Sequence, residues 1–314
     1  MGHPLRWYQP GVVYEVTSRT IQERFLLRPS ERSRDLIVGV LCRALVLFPQ
    51  VFLHAFTYLS NHYHLLCSAS DGAQLAAFLG YVNGNVAREL GRLHDWTGPF
   101  WARRPRVIPI LDDDAVIARL RYLLANGVKE GLVTSPREWA GASSTPGLLG
   151  DMTVDGVRIR RDLRSPAGAP VEERVALALT PIPPWAHLPP DELRRKHLAL
   201  VESVEAEAHV SPAGMAAVAA QSPHDRPSAP ERSSAPLCHA STPQGRSWFR
   251  TIYRAFVDAF CRAAQSLRNQ VSTAPTPFPA GSFPRAARYV MPALPDASTT
   301  SLRVAVRPIP QGFS

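Results

Sequence analysis

The chain has 314 residues, 45% of them hydrophobic, which is enough for a substantial core and for more than one domain. It carries 35 Lys and Arg against 26 Asp and Glu, a formal net charge of +9, which favours polyanionic partners such as nucleic acid. No run approaches the roughly 18 apolar residues that span a bilayer, and the four cysteines form no CxxC pair. With no apolar signal core at the N-terminus, these features predict a cytoplasmic protein with reduced thiols and exclude membrane-spanning and disulfide-framework classes.

The first 145 residues alternate between strand-like and helix-like patterns. Alternating or β-branched runs predict four strands, at residues 12–20, 51–59, 62–69 and 100–110. Apolar residues at helical spacing predict three helices, at residues 30–48, 71–93 and 112–127. Asn126-Gly127 is the expected end of the third helix, and Pro105 and Pro109 place the fourth strand at a sheet edge. The order β-α-β-β-α-β-α predicts an α+β domain, an antiparallel sheet with packed helices.

The rest of the chain has a different character, since 21 of the 30 prolines follow residue 150. It is predicted to be mostly helical where it is ordered, with helices at residues 191–210 and 247–270. The predicted segments are a linker at 146–190 with one short helical candidate at 171–178, a helical region at 191–272 interrupted by a Pro/Ser-rich linker at 221–245, and a Pro-rich tail at 273–314.

Two histidines, a tyrosine and an asparagine form the candidate site. His62 and His64 lie two residues apart on a predicted strand, so their side chains point to the same face. Tyr122 and Asn126 lie four residues apart on a predicted helix and also share a face. Imidazoles and an amide oxygen can hold a divalent metal, Mg²⁺ being favoured by oxygen ligands and Mn²⁺ by imidazoles. A phenol next to such a cation can attack a phosphodiester.

Simpler explanations remain open for each of these residues. Histidines on a half-buried strand are often hydrogen-bonded core residues, and a helical tyrosine often packs on a sheet. The spacing His62-x-His64-x-x-Cys67 could suit zinc, but Cys67 lies an odd number of residues from His64 and would face the other side of a strand. Cys238-His239 lies in the predicted linker without a matching pair, which favours no metal site there.

These motifs resemble those of the single-tyrosine HUH transposases (His, hydrophobic, His) of the IS200-like group, and in particular its REP-associated tyrosine branch. Four segments between about residues 10 and 143 carry the resemblance in matching order and spacing. They are Pro10-Gly-Val-Val-Tyr-Glu-Val-Thr-Ser18, Ser60-Asn-His-Tyr-His-Leu-Leu66, Phe100-Trp-Ala-Arg-Arg104 and Tyr122-Leu-Leu-Ala-Asn-Gly-Val-Lys-Glu-Gly-Leu-Val133. Asparagine four residues after Tyr122 matches the transposases, whereas rolling-circle replication initiators typically carry lysine there.

The resemblance implies an RRM-like (ferredoxin-like) nuclease core at residues 1–145, with the histidines on a central strand and the tyrosine on a late helix. It implies that His62, His64 and Asn126 hold Mg²⁺ or Mn²⁺. It also implies that Tyr122 forms a 5′-phosphotyrosine while cutting and rejoining single-stranded, hairpin-forming DNA in DNA transposition. The sequence departs from the family where Gly127 replaces the usual proline and where Pro105-Arg106 replaces an aromatic stretch.

Basic and aromatic residues supply the candidate DNA contacts, because guanidinium groups and aromatic rings suit phosphates and unstacked bases. The candidates are Trp101, Arg103, Arg104, Arg106 and Lys129. The same arginines would also be expected if their only role were to keep an exposed edge strand from pairing with other chains. The alternative function is a non-cleaving DNA-binding protein of domesticated transposase origin, and a third is a structural protein with incidental charge. When bound to DNA, the protein would be associated with the nucleoid. A homodimer is a further possibility, because some members of the family act as dimers.

Overall fold

The computed structural model describes residues 4–164, 168, 170–208, 214–227, 235–269 and 278–282. Most of the predicted Pro-rich tail therefore lies outside the described residues. The strands are β1 (Val13–Arg19), β2 (Val51–Tyr58), β3 (His62–Ala69), β4 (Arg106–Ile110), β5 (Thr153–Arg164) and β6 (Pro170–Ala178). The helices are α1 (Glu31–Leu47), α2 (Gly72–Leu93), α3 (Asp113–Lys129), α4 (Thr145–Leu149), α5 (Pro190–Glu205), α6 (Gly214–Ala220) and α7 (Pro243–Arg268).

A four-stranded antiparallel sheet forms the centre of the molecule, in the order β2-β3-β1-β4. Its register places Thr57, His64, Thr17 and Arg106 in one row across the four strands. Directly paired residues on neighbouring strands project to the same face, so these four side chains share one face of the sheet. The predicted α+β class is confirmed, with the histidine strand β3 inside the sheet and β4 at its edge.

Helices cover both faces of this sheet. Helices α1 and α2 pack on one face, where the hydroxyl of Tyr63 on β3 donates to Asn83 Oδ1 on α2 at 2.9 Å. Helix α3 packs on the opposite face, which carries His62 and His64. The periodicity of two along β3 thus sends Tyr63 into one layer and the histidines into the other.

Side-chain caps start the three helices of the N-terminal part. Ser30 accepts from the backbone N–H of Ser33 within a capping box, Asp71 accepts from Ala73, and Asp112 accepts from Ala115. These acceptors satisfy backbone donors that have no partner inside the helix. Because Asp112 lies two residues after the end of the edge strand, the cap fixes the point at which the chain turns from β4 into α3.

The predicted end of the third helix at Asn126-Gly127 is wrong, since α3 continues to Lys129. Gly127 does not supply a left-handed turn there. A Cβ atom at this position would lie 3.1 Å from Val133 and 3.2 Å from Trp139, so glycine permits close packing. The left-handed residue after the helix is Gly131, at φ 68°.

The predicted linker at 146–190 is also wrong, because β5 and β6 pair there as an antiparallel hairpin. The helix predicted at 171–178 is strand β6, in which Val175 and Leu177 are buried two residues apart. The hairpin packs against α1. Its apolar side belongs to the same hydrophobic core as the sheet.

A short segment at 238–241, inside the second predicted linker, returns to the sheet. His239 pairs in parallel with the end of β4, its N–H donating to the carbonyl of Pro109 and its carbonyl accepting from Leu111, each at 2.9 Å. The N–H of Ser241 donates to Asp112 Oδ2, also at 2.9 Å. The segment therefore extends the sheet beside β4 and reinforces the cap of α3. In the described part of the chain, no helix has both the length and the apolar character to cross a membrane.

Candidate functional site

His62 and His64 lie side by side beneath α3, with ring centroids 5.3 Å apart. His64 is buried and His62 is partly buried. The prediction from spacing, that both side chains share one face, is confirmed. Cys67 projects with Tyr14 into the opposite layer, where burial raises the pKa of its thiol to about 12. The zinc set that includes Cys67 is therefore wrong.

Each histidine has one ring nitrogen engaged by an oxygen. Nδ1 of His62 lies 2.7 Å from Asn61 Oδ1, and Nδ1 of His64 lies 2.8 Å from Glu15 Oε1. An oxygen acceptor requires a proton on Nδ1, which leaves the lone pair on Nε2 in the neutral ring. Burial, and then the neighbouring His64 and Arg19, hold the pKa of His62 well below its usual range. The neutral ring with a free Nε2 is the form that binds metals.

Glu15 on β1 is a site residue that the sequence interpretation missed. Its buried carboxylate contacts three side chains: His64 and Arg119, at 2.8 and 3.1 Å from Oε1, and His239, whose Nε2 lies 2.5 Å from Oε2. Burial acts to raise the pKa of Glu15. Hydrogen bonds from His239 and His64 and the charge of Arg119 outweigh it and hold that pKa well below its usual range. An acidic residue within an apolar, β-rich run was the available sequence signal.

Tyr122 on α3 packs directly against His64 of the histidine pair. Its ring meets that of His64 edge to face, with centroids 5.7 Å apart. The guanidinium of Arg119 lies 3.7 Å from the centre of the Tyr122 ring, and Lys129 Nζ lies 5.3 Å from it. The structure therefore brings together a phenol, two imidazoles and two cations. Cations in this position can hold an anionic phosphate beside the phenol.

Asn126 lies one helical turn after Tyr122 and is buried. Its amide nitrogen donates to the carbonyl of Leu123 at 3.3 Å. Its Oδ1 accepts no hydrogen bond from the described residues, which leaves an oxygen available as a ligand. No cluster of three or more His, Cys, Asp or Glu side chains suited to a metal occurs among the described residues. The groups that could hold a divalent metal here are the imidazole nitrogens of His62 and His64 and the amide oxygen of Asn126, which are ligand types that Mn²⁺ and Mg²⁺ accept.

The predicted DNA-contact residues separate into three places. Lys129 lies over the Tyr122 ring, and Arg103, Arg104 and Arg106 are exposed beside or on β4. Trp101 lies in the opposite layer from the histidines, where its indole N–H donates to the carbonyl of Asn83 at 2.9 Å and its ring packs on Tyr63. Trp101 therefore anchors the approach to β4 and does not lie on the histidine face.

Comparison with known proteins finds distant structural neighbours. No family model matches the chain, and no curated protein matches it in sequence. A solved REP-associated tyrosine transposase bound to a REP hairpin aligns with 46% of this chain and 82% of its own, at 17% identity and a TM-score of 0.39. A candidate transposase from Deinococcus radiodurans R1 aligns with 40% of this chain and 97% of its own, at 18% identity and a TM-score of 0.29.

Both neighbours carry the name of transposase, which is the group that the sequence motifs resemble. At TM-scores below 0.5 the likeness is too distant to transfer residue roles to this chain. The strand register and the contacts around His64 and Tyr122 are the observations on which a function can be argued.

Proposed function

We propose that this chain is a metal-dependent tyrosine endonuclease and strand transferase that acts on single-stranded DNA in transposition. The observation that carries the proposal is the contact of Tyr122 with His64, whose Nδ1 is held by Glu15 and whose Nε2 has no hydrogen-bond partner among the described residues. A nucleophile beside a set of metal-ligand atoms and two cations is an arrangement that can carry out phosphodiester transfer.

In this proposal Tyr122 Oη attacks the scissile phosphorus. A tyrosine–phosphorus bond forms, the bond from phosphorus to the 3′ oxygen breaks, and the products are a 5′-phosphotyrosine and a free 3′-hydroxyl. The phenol gives up its proton and the departing 3′ oxygen gains one, so the step balances without an added reactant. Attack by a 3′-hydroxyl on the phosphotyrosine reverses the exchange and rejoins a strand.

Three protein groups would hold a divalent cation, namely His62 Nε2, His64 Nε2 and Asn126 Oδ1. Mg²⁺ or Mn²⁺ bound there would act as a Lewis acid that stabilises charge on the transferring phosphate. Arg119 and Lys129, which both lie over the Tyr122 ring, would orient the phosphate through its other oxygens.

The test is formation of a covalent adduct with a fluorescent single-stranded hairpin. Hairpin DNA is the first substrate to try, since one structural neighbour is named as bound to a REP hairpin. We expect a denaturation-resistant protein–DNA adduct with Mn²⁺ or Mg²⁺, none with chelator, and none with Tyr122→Phe. Tyr81→Phe is the matched control because it deletes a phenolic hydroxyl on α2, on the other side of the sheet, and should leave the adduct intact.

Two other results would contradict the proposal. An adduct that persists in Tyr122→Phe would assign the nucleophile elsewhere. Salt-dependent hairpin binding by the wild-type chain without any adduct across a panel of hairpins would favour the non-cleaving DNA-binding alternative.

A further inference from the structure

A cleft runs along the open edge of β4, outside the histidine site. Its walls are residues 4–7 near the N-terminus, residues 104–109 at the sheet edge, residues 235–237, and the first half of α7. Its volume is about 260 Å³, below the roughly 300–1,000 Å³ of typical small-molecule pockets. The cleft therefore has room for one base-sized group and not for a duplex.

The lining of this cleft is basic. It includes Arg6, Arg104 and Arg106 and no aspartate or glutamate among the described residues. Arg106 is exposed and makes no ion pair or hydrogen bond with the described residues. Burial is the main cause that lowers the pKa of Arg6, and the positive charge of the neighbouring Arg104 lowers it further. An anion in the cleft would relieve that repulsion.

Aromatic rings form the apolar part of the same lining. Trp7 meets Phe249 edge to face with centroids 5.2 Å apart, and Phe249 stacks with Tyr253 at 5.9 Å. The hydroxyl of Tyr253 donates to the carbonyl of Leu5 at 2.8 Å, which holds α7 against the N-terminal wall. The two aromatic residues of α7 that line the cleft, Phe249 and Tyr253, share the lining with Arg104 and Arg106 of the sheet edge. Rings with guanidinium groups are the combination that binds unpaired bases together with their phosphates.

The cleft lies next to the candidate site on the sheet. Arg106 shares a row and a face with His64, with only Thr17 of β1 between them. Two strand spacings amount to about 10 Å between the Cα atoms of His64 and Arg106. A DNA strand that leaves the Tyr122 site across β1 therefore meets Arg106 and then the cleft within a few nucleotides.

We infer that this cleft, built by β4, the N-terminal residues and α7, binds an unpaired nucleotide of the single-stranded DNA that flanks the cleaved bond. The inference rests on the proposed function for the identity of the strand. It assigns a role to α7 and to residues 235–237, which the cleavage chemistry does not use. Base stacking and phosphate contact there would favour single strands over duplexes, because paired bases cannot enter.

The test measures binding of a fluorescent single strand by the full chain in chelator, so that cleavage plays no part. Arg106→Ala should weaken binding and reduce the slope of log affinity against log salt by about 0.7, and Arg104→Ala/Arg106→Ala should reduce it by about 1.4. Arg194→Ala on α5 is the control, because it removes one exposed positive charge outside the cleft and should leave the slope unchanged. A duplex of the same sequence should show no difference between Arg106→Ala and Arg194→Ala.

Photocrosslinking of an iodouracil-substituted strand supplies an independent readout, with crosslinks expected at the partly exposed Trp7 or Tyr253 and not at the buried Phe249. Equal slopes for Arg106→Ala and Arg194→Ala, or crosslinks confined to other residues, would overturn the inference. If an adduct forms at Tyr122 but the slopes of Arg106→Ala and Arg194→Ala are equal, the proposed function is supported and nucleotide binding in the cleft is contradicted. Crosslinks in the cleft of a chain that forms no adduct would support nucleotide binding in the cleft and contradict the proposed nuclease activity.

Discussion

At the scale of single residues, the candidate site depends on one buried carboxylate. Glu15 orients His64 through Nδ1 and at the same time contacts Arg119 and His239. A carboxylate on the far nitrogen of a ligating histidine fixes its tautomer and raises its basicity as a ligand. The depressed pKa of Glu15 keeps this carboxylate charged across the physiological range.

We expect Glu15→Gln to weaken Mn²⁺ binding by about 10–100-fold, because a neutral amide holds the His64 tautomer less firmly. Calorimetric titration of the full chain with Mn²⁺ measures this without any cleavage. Glu31→Gln, at an exposed position on α1, is the control and should bind Mn²⁺ as the wild type does. Unchanged affinity in Glu15→Gln, in a chain with wild-type circular dichroism, would remove Glu15 from the site.

Sequence spacing predicted one part of this site and could not predict another. The histidine pair follows from the period of a strand, and the shared face of Tyr122 and Asn126 follows from the period of a helix. His239 could not be placed this way, since 224 residues separate it from Glu15 and no local pattern encodes that contact. Its position in a predicted linker carried no sign of this contact.

At the scale of elements, the β5–β6 hairpin packs closely against α1 because a glycine on each side leaves room for the other backbone. A Cβ atom at Gly39 of α1 would overlap the carbonyl of Val157, and one at Gly156 would lie 2.6 Å from Val38 Cβ. The hairpin escaped prediction because its solvent side is dense in arginine and glutamate, which hides the alternation seen at Val175 and Leu177. Neither glycine carries a sequence signal for such close approach.

We expect Gly39→Ala to lower the free energy of unfolding by about 1–3 kcal/mol, because the added methyl forces the hairpin away from α1. Gly80→Ala on α2 is the matched control. Nothing lies within 4 Å of a Cβ atom there, so alanine should raise stability by about 0.5–1 kcal/mol through its better helix propensity. Urea denaturation measures both, and equal effects of the two substitutions would contradict the close packing.

At the scale of the whole molecule, one hydrophobic core joins the four-stranded sheet to the region predicted as a separate extension. The core continues from the sheet through Val175 and Leu177 to Leu193 and Val201 on α5. Composition predicted the change near residue 145 but not this continuity, because prolines mark loops without showing what the neighbouring segments pack against. The order of the first seven elements, in contrast, followed directly from their periodicity.

Stability should fall as the pH drops from about 6.5 to about 4. His54 is fully buried, its Nδ1 facing the carbonyls of Thr180 and Pro181 and its Nε2 accepting from Ser68. Burial lowers the pKa of His54 to about 4. The unfolded chain therefore binds the proton first on acidification, and the full effect is about 3 kcal/mol at about 1.4 kcal/mol per pKa unit.

Urea denaturation between pH 7.5 and 4 measures this loss. We expect a shallower pH dependence in His54→Gln, in which the titrating group is absent, and an unchanged one in His187→Gln, at an exposed position. The same steep loss in His54→Gln as in the wild type would assign the acid sensitivity to other groups.

The pairing of His239 beside β4 also determines how late in synthesis the fold can be completed. A ribosome completes β4 at Ile110, 129 residues before it reaches His239, and 129 residues at about 5–20 residues per second amount to about 6–26 s. During that interval the edge of β4 stays open as a template for pairing with other chains. The nascent chain thus passes through an aggregation-prone stage before the segment at 238–241 emerges and pairs with the end of β4.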